Sequence, residues 1–335
     1  MTIRSIFGSA LLTVGAMIAQ SANAEDCKPL TLATTAKMEP TEGGRPVLPV
    51  KINGTPRNFL FDTGGVVILV SPSVVKELNL HTRESPIKLF DVGGNISQAM
   101  TTLDSFELGP LVAKHLDVAV GTSGAGSDVD GLLTPSLFRT DIDMDFGPGR
   151  FSLFLQDHCE GKVVYWKSDA IAVVPVRTDD LHINVPVVID GHELRAIIDT
   201  GASGTFMDMN TARRVFGLTP DSPGMKNVGI ANNDPNLPLY EHVFSSLSFE
   251  GITVSNAHVK IMPDMIDSKD KENSFQTGSH VMRVDDEITR VPVTIGMNVL
   301  KKLHVYMAFK ERKLYISPAS APDSPNPFAA IQPAK

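Results

Sequence analysis

Asn58-Phe59-Leu60-Phe61-Asp62-Thr63-Gly64-Gly65 and Arg195-Ala196-Ile197-Ile198-Asp199-Thr200-Gly201-Ala202 are two copies of one pattern. In each, a mostly apolar run that favours a buried strand ends in an Asp-Thr-Gly turn, which presents a carboxylate at a tight bend. A single Asp-Thr-Gly is most simply a turn or a helix cap. Two in matching surroundings ask for another explanation.

The match extends upstream. Val50-Lys-Ile-Asn-Gly54 precedes the first aspartate and Val187-Val-Ile-Asp-Gly191 the second, with equal spacing (62 − 54 = 199 − 191). Asn-Gly and Asp-Gly between apolar runs are hairpin turns, because both central residues must take positive φ. Each half therefore reads strand, tight turn, strand, Asp-Thr-Gly. Downstream, Leu132-Leu-Thr134 corresponds to Thr294-Ile-Gly296, and Phe146 to Leu153 corresponds to Phe309 to Ile316. The offset is 137 at the aspartates, 162 at Thr134 and Gly296, and 163 at Phe146 and Phe309. One step between two near-constant offsets predicts a duplication with a single insertion in the second half. The polar stretch 264–287 suits that insertion as an exposed loop.

Short helices are expected at Pro72 to Leu78, with Ser71 or Ser73 as N-cap, and at Asn210 to Phe216, closed by Gly217. Ile87 to Phe90 and Ile96 to Leu103 flank the turn-rich Asp91-Val-Gly93-Gly94-Asn95, which predicts a hairpin with a mobile tip. A linker is expected from about Gln156 to Ala170. A Pro, Ala and Ser-rich stretch at 318–335 reads as a disordered tail. The domain plan is a first lobe over 25–160 and a second over 161–317.

Residues 1–24 carry Arg4, an apolar run and Ala22-Asn-Ala24, the pattern of a secretory signal peptide cut before Glu25. That predicts a periplasmic or secreted protein without a membrane anchor. The net charge is −8, or −9 once Arg4 leaves, and no basic run points to nucleic acid or an anionic membrane. Cys27 and Cys159 are the two cysteines. In an oxidising compartment they read as one disulfide, with two free thiols or a metal site at Asp157-His158-Cys159 as alternatives; the histidine spacing suits no zinc site.

If two copies of one β-rich unit pack about a pseudo-twofold axis, Asp62 and Asp199 meet at that axis. Two carboxylates sharing one proton can hold a water, deprotonate it for attack on an amide carbonyl and protonate the carbonyl oxygen, with no metal or other cofactor. Ser203 suggests a serine nucleophile, but no paired histidine or nucleophile elbow surrounds it, and a hydroxyl supporting Asp199 is the simpler expectation.

In these residues the chain resembles the pepsin and retropepsin aspartic proteases. It is nearest in style to bacterial retropepsin-like enzymes, with both lobes in one polypeptide from about Val50 to Ile316. The resemblance implies a mainly β, bilobal, pepsin-like fold of two homologous β-barrel-like lobes with short helices, acting as a monomer on peptides or unfolded protein. It makes Asp62 and Asp199 catalytic, gives Thr63 and Thr200 a scaffolding role across the lobes, and assigns Gly64 and Gly201 to the sharp bends. Asp91, Gly93 and Gly94 correspond to a glycine-rich flap. Two positions depart from the family pattern: Gly65 stands where Ala or Ser is usual, and Thr134 stands where Gly is usual. A peptide-binding protein that has lost turnover, and a structural envelope protein on a borrowed fold, are the competing readings.

Overall fold

A computed structural model describes residues 27–90, 96–122, 129–177, 182–231, 235–263 and 291–328. The expected signal peptide, the flap residues Asp91, Gly93 and Gly94, and the insertion at 264–287 lie outside the described residues.

The duplication read from the sequence is a duplication of barrels. In the first half, strands Pro46–Ile52, Thr55–Phe61, Gly131–Leu133, Leu69–Val70, Leu111–Val120 and Ile96–Leu108 follow one another by hydrogen bonding. The last returns to the first through Lys51 opposite Glu107 and Ile52 opposite Phe106. In the second half the same role falls to Asn184–Ile189, His192–Ile198, Val293–Ile295, Thr205–Asp208, Ile252–Met262 and Pro238–Phe249. That ring closes through Val188 opposite Ser248 and Ile189 opposite Leu247. Parallel and antiparallel neighbours occur at the same places in both rings. Closure leaves no open edge within either ring.

Local sequence explains these elements. Along Pro46–Ile52, Leu48, Val50 and Ile52 are buried while Pro49 and Lys51 are exposed, the period-two pattern of a strand with one wet face. The turn that follows has φ of 49° at Asn53 and 79° at Gly54, and its counterpart has 43° at Asp190 and 84° at Gly191. These are the positive values that a two-residue hairpin with the right twist needs. Helix Pro72–Glu77 starts where Ser71 accepts a bond from the Val74 amide, and helix Met209–Phe216 ends at left-handed Gly217. Around the expected flap, Thr82–Phe90 pairs with Ile96–Leu108 up to Phe90 opposite Ile96. The second half carries the equivalent hairpin, Lys226–Ile230 with Pro238–Phe249.

A third sheet joins the halves. Its order is Leu32–Lys37, Arg150–Phe154, Asp141–Asp145, Leu303–Ala308, Lys313–Pro318 and Ala172–Pro175, three strands from each half, with Ile142–Asp145 antiparallel to His304–Met307 at the seam. One face of this sheet covers the apolar core. The other is a buried polar layer in which Asp141, Asp143 and Asp145 are all 0% exposed. His158 pairs with Asp141 at 2.6 Å, His304 with Asp143 at 2.6 Å, and Arg150 with Asp145 at 2.9 Å, while the Tyr165 hydroxyl donates to Asp143 at 2.6 Å. Buried charge persists when it is paired and bonded in this way.

Residues 156–170 close over that layer instead of hanging free. The Trp166 ring stacks on His304 at 3.9 Å and its indole N–H donates to Ser317 Oγ. The tail also departs from expectation over 318–328. The Ser320 amide donates to Asp145, Arg150 donates to the Pro325 carbonyl, and Phe328 packs on Tyr165 at 4.6 Å. Composition suggested disorder, but the buried carboxylate and the aromatic shelf give this stretch specific partners. Cys27 and Cys159 form a disulfide that pins the first described residue to the connection between halves. Closing 132 residues of chain contributes about 5 kcal/mol on the loop-entropy model.

Candidate active site

Each Asp-Thr-Gly loop is held by a strand from its own barrel. The Asp62 amide donates to the Leu133 carbonyl at 2.8 Å, and the Asp199 amide donates to the Ile295 carbonyl at 3.0 Å. The loops then reach across the lobe interface. Thr63 Oγ1 donates to the Ile198 carbonyl at 2.7 Å and accepts from the Thr200 amide at 3.0 Å. Reciprocally, Thr200 Oγ1 donates to the Phe61 carbonyl at 2.5 Å and accepts from the Thr63 amide at 3.1 Å. Two fully buried threonines thus make four bonds and satisfy the polar groups of both loops.

This cross-bracing sets the two aspartates face to face. Their side chains hydrogen-bond to each other, with Asp62 5% and Asp199 0% exposed. Gly64 and Gly201 are required by the approach. A Cβ on Gly64 would lie 2.5 Å from Cγ of Asp199, and one on Gly201 would lie 2.5 Å from Cγ of Asp62. Each lobe's glycine is therefore the space filled by the other lobe's carboxyl group. The inner oxygens are fixed by the loops: Asp62 Oδ1 accepts from the Gly64 and Gly65 amides, both at 2.9 Å, and Asp199 Oδ1 accepts from the Gly201 and Ala202 amides at 2.8 and 3.2 Å.

Burial pushes the Asp62 carboxyl above the usual carboxylate range. The bond from Asp199, the Gly64 and Gly65 amides and the charge of His182 pull in the opposite direction without cancelling it. His182, 2% exposed, directly precedes Ile183, whose carbonyl accepts from the amide of Ile198, the residue whose carbonyl Thr63 bonds. It was not singled out from the sequence, where it is one of nine histidines without a motif.

The two departures from the family pattern touch each other. A Cβ on Gly65 would meet Thr134 Cγ2 at 2.9 Å. In the second lobe the equivalent residues are Ala202 and Gly296, and a Cβ on Gly296 would meet backbone instead, 2.0 Å from the Gly204 carbonyl oxygen and 2.7 Å from the Ala202 carbonyl oxygen. Gly65→Ala alone is expected to cost about 1–3 kcal/mol by overpacking and to displace Asp62. Adding Thr134→Gly should recover part of both, because it removes the methyl that the new Cβ would meet, while the approach to Asp62 at 3.1 Å stays. Strictly additive effects in denaturant unfolding and in kcat/KM would refute the coupling.

Asp199 receives its loop bonds from the Gly201 and Ala202 amides, while Ser203 is exposed and its Cβ lies 3.2 Å from the Cβ position of Gly43 in the first lobe. Asp62, Thr63, Gly64, Asp199, Thr200 and Gly201 are brought together.

The architecture has a counterpart among solved structures. An aspartic proteinase from Irpex lacteus aligns with a TM-score of 0.51 at 13% identity, over 87% of this chain and 98% of that one. At that identity the likeness is one of fold. No protein of curated function matches the sequence. The family model described as aspartyl protease matches residues 48–137 and 185–299, one segment in each half and together more than half of the sequence, and the chain belongs to that aspartyl protease family.

Proposed function

We propose that the chain is an aspartic endopeptidase that hydrolyses peptide bonds with a water activated between Asp62 and Asp199. The observation that carries this reading is the pair of carboxyl groups hydrogen-bonded across the lobe interface, each seated in the glycine notch of the other loop. Two carboxylates this close cannot both ionise cheaply, so the pair holds one proton over its working range. Burial raises the Asp62 carboxyl, and the pair titrates as a unit. The ionised member takes a proton from the water as it attacks the amide carbon, and the protonated member donates to the carbonyl oxygen. In the second half of the cycle the proton taken from the water passes to the leaving nitrogen. Gly65 and Thr134 offset each other in size, so neither argues for a cleft that binds without turnover.

Extended or unfolded segments are the substrate class, because the amide must enter between two lobes braced against each other. The signal-like residues 1–24 and the disulfide fit action in the cell envelope or outside the cell.

Incubation with a denatured protein should give cleavage that a statine-type transition-state mimic blocks. The rate should fall in strong acid, where both carboxyls are protonated, and again as pH rises through the elevated range of the pair. No cleavage from about pH 3 to about pH 8 would overturn the reading.

A further inference from the structure

The two lobes build different walls beside the shared pair. With the offset of 137, Gly65-Val66-Val67-Ile68-Leu69 is equivalent to Ala202-Ser203-Gly204-Thr205-Phe206. On the first lobe Val66, Val67 and Ile68 are partly exposed, so that wall is apolar. On the second lobe, Gly204 has no side chain and Lys260 fills the space. The lysine Cε, Cδ and Nζ lie 3.6, 3.7 and 3.8 Å from the Cβ position of Gly204, and the ammonium sits 5.7 Å over the Phe206 ring. Lys260 is placed there by register, since Phe206 pairs with Lys260 in the parallel ladder. At the same register in the first lobe, Leu69 pairs with buried Ala119.

A second cation reaches the same corner from the other lobe. The turn Thr41 to Arg45, closed by the Gly44 amide on the Thr41 carbonyl, lies against Ser203 through Gly43. Arg45 Nε is 4.0 Å from that same Gly43 Cβ position. Lys260 and Arg45 are both partly exposed, and neither forms an ion pair among the described residues. Two carboxylates are nearby in the fold. Glu241 pairs with Lys260 across the ladder but its carboxylate contacts His258 at 3.2 Å, and Glu42 in the turn is exposed to solvent.

We propose that Lys260 and Arg45 form a cationic subsite that selects an Asp or Glu side chain of the substrate, two to four residues from the scissile bond, on the side walled by the second lobe. The distance follows from chain geometry. Gly204 is five residues beyond Asp199, and the intervening loop bends rather than extends. A substrate strand advances about 3.3 Å per residue, so two to four residues span roughly 7–13 Å, within what five bent residues cover. The ammonium over Phe206 is partly shielded from water by the ring, which strengthens its attraction for an anion. The opposite wall, Val66 to Ile68, has no charge to offer. A peptide is directional, so charge on one wall alone fixes which side of the cleaved bond must carry the acid.

This inference rests on the peptidase reading, and its test keeps the two separable. Peptide sets differing only by Glu, Gln or Lys at each of these positions would be cleaved by the full chain near pH 6, and the ratio of kcat/KM values read within each variant. That internal ratio does not depend on the folded fraction. Glu should exceed Gln by about fivefold at one position, the size of one good exposed ion pair. The preference should fade at high salt and below about pH 4.3, where the substrate carboxylate takes up a proton. Lys260→Glu should reverse it in favour of Lys, and Arg45→Gln should reduce it. Equal rates for Glu and Gln at every position, or an unchanged ratio in Lys260→Glu, would overturn the subsite. If the parent cleaves none of the peptides, the peptidase reading falls. The subsite is then decided by fluorescence anisotropy with reduced-amide peptides, where tighter binding of the Glu peptide, lost in Lys260→Glu, supports it and equal binding refutes it.

Discussion

Asp199→Asn, and equally Asp62→Asn, is expected to lower the rate of peptide cleavage by about 1000-fold or more, the range lost when a positioned acid or base is removed. The amide keeps the shape and can still accept from the loop amides, so the fold should survive. What disappears is the single proton that the pair shares. Burial raises the Asp62 carboxyl, so its contribution is fully present below the unfolded carboxylate value of about 3.9 and is lost as pH rises through the higher folded value. Asparagine never ionises. Asp62→Asn should therefore melt above the parent at neutral pH, and the gap should close in acid. Thermal unfolding at pH 7 and pH 3 checks the sign, and digestion of a denatured protein checks the rate. Cleavage by both variants at the parental rate would remove the catalytic assignment.

Gly201→Ala is the second large effect, with Gly64→Ala as its mirror image. A methyl at Gly201 would stand 2.5 Å from Cγ and Oδ1 of Asp62 and 2.8 Å from Oδ2, and one at Gly64 would stand 2.5, 2.7 and 2.8 Å from Cγ, Oδ1 and Oδ2 of Asp199. Asp62 cannot swing away freely, because its Oδ1 is held by two backbone amides. The loops must part, and the four bonds of Thr63 and Thr200 resist that. We expect kcat/KM to fall about 100-fold or more, since a displacement of about 1 Å is enough for such losses, with a loss of about 1–3 kcal/mol in stability. Circular dichroism melting alongside peptide kinetics separates the two. Gly201→Ala with parental kinetics would mean that the contact between the carboxyl groups is not what drives cleavage.

Much of this was legible because it was local or repeated. The Asn53-Gly54 and Asp190-Gly191 turns, the helix caps at Ser71 and Gly217 and the paired Asp-Thr-Gly loops each carry their physical reason within a few residues. The constant offset then superposed the halves. The joining sheet was not legible. Leu32–Lys37 lies ahead of the first repeat and Ala172–Pro175 just past the expected linker, and they become strands through partners far along the chain. Asp141, Asp143 and Asp145 alternate with apolar residues as if facing water. Their burial depends on His304, 161 residues from Asp143, and on the linker residues His158 and Tyr165. The Gly65 and Thr134 contact was visible only as two irregularities, since neither position shows what the other fills. His182 and Arg45 each stand 17 residues before an aspartate (199 − 182 = 62 − 45), but no spacing rule reveals that one is buried beside the pair and the other lies at its rim.

The seam in the joining sheet, where Asp143 lies opposite Tyr306 and Met144 opposite Val305, places two related halves side by side within one polypeptide. Identical, separate subunits would meet only above their dissociation constant and would duplicate every substitution on both flanks. Tethering removes the dependence on dilution, because the second half is always present at the high effective concentration set by a short connection. It also frees each copy to drift alone, which is how Lys260 can face a counterpart as unlike it as Ala119.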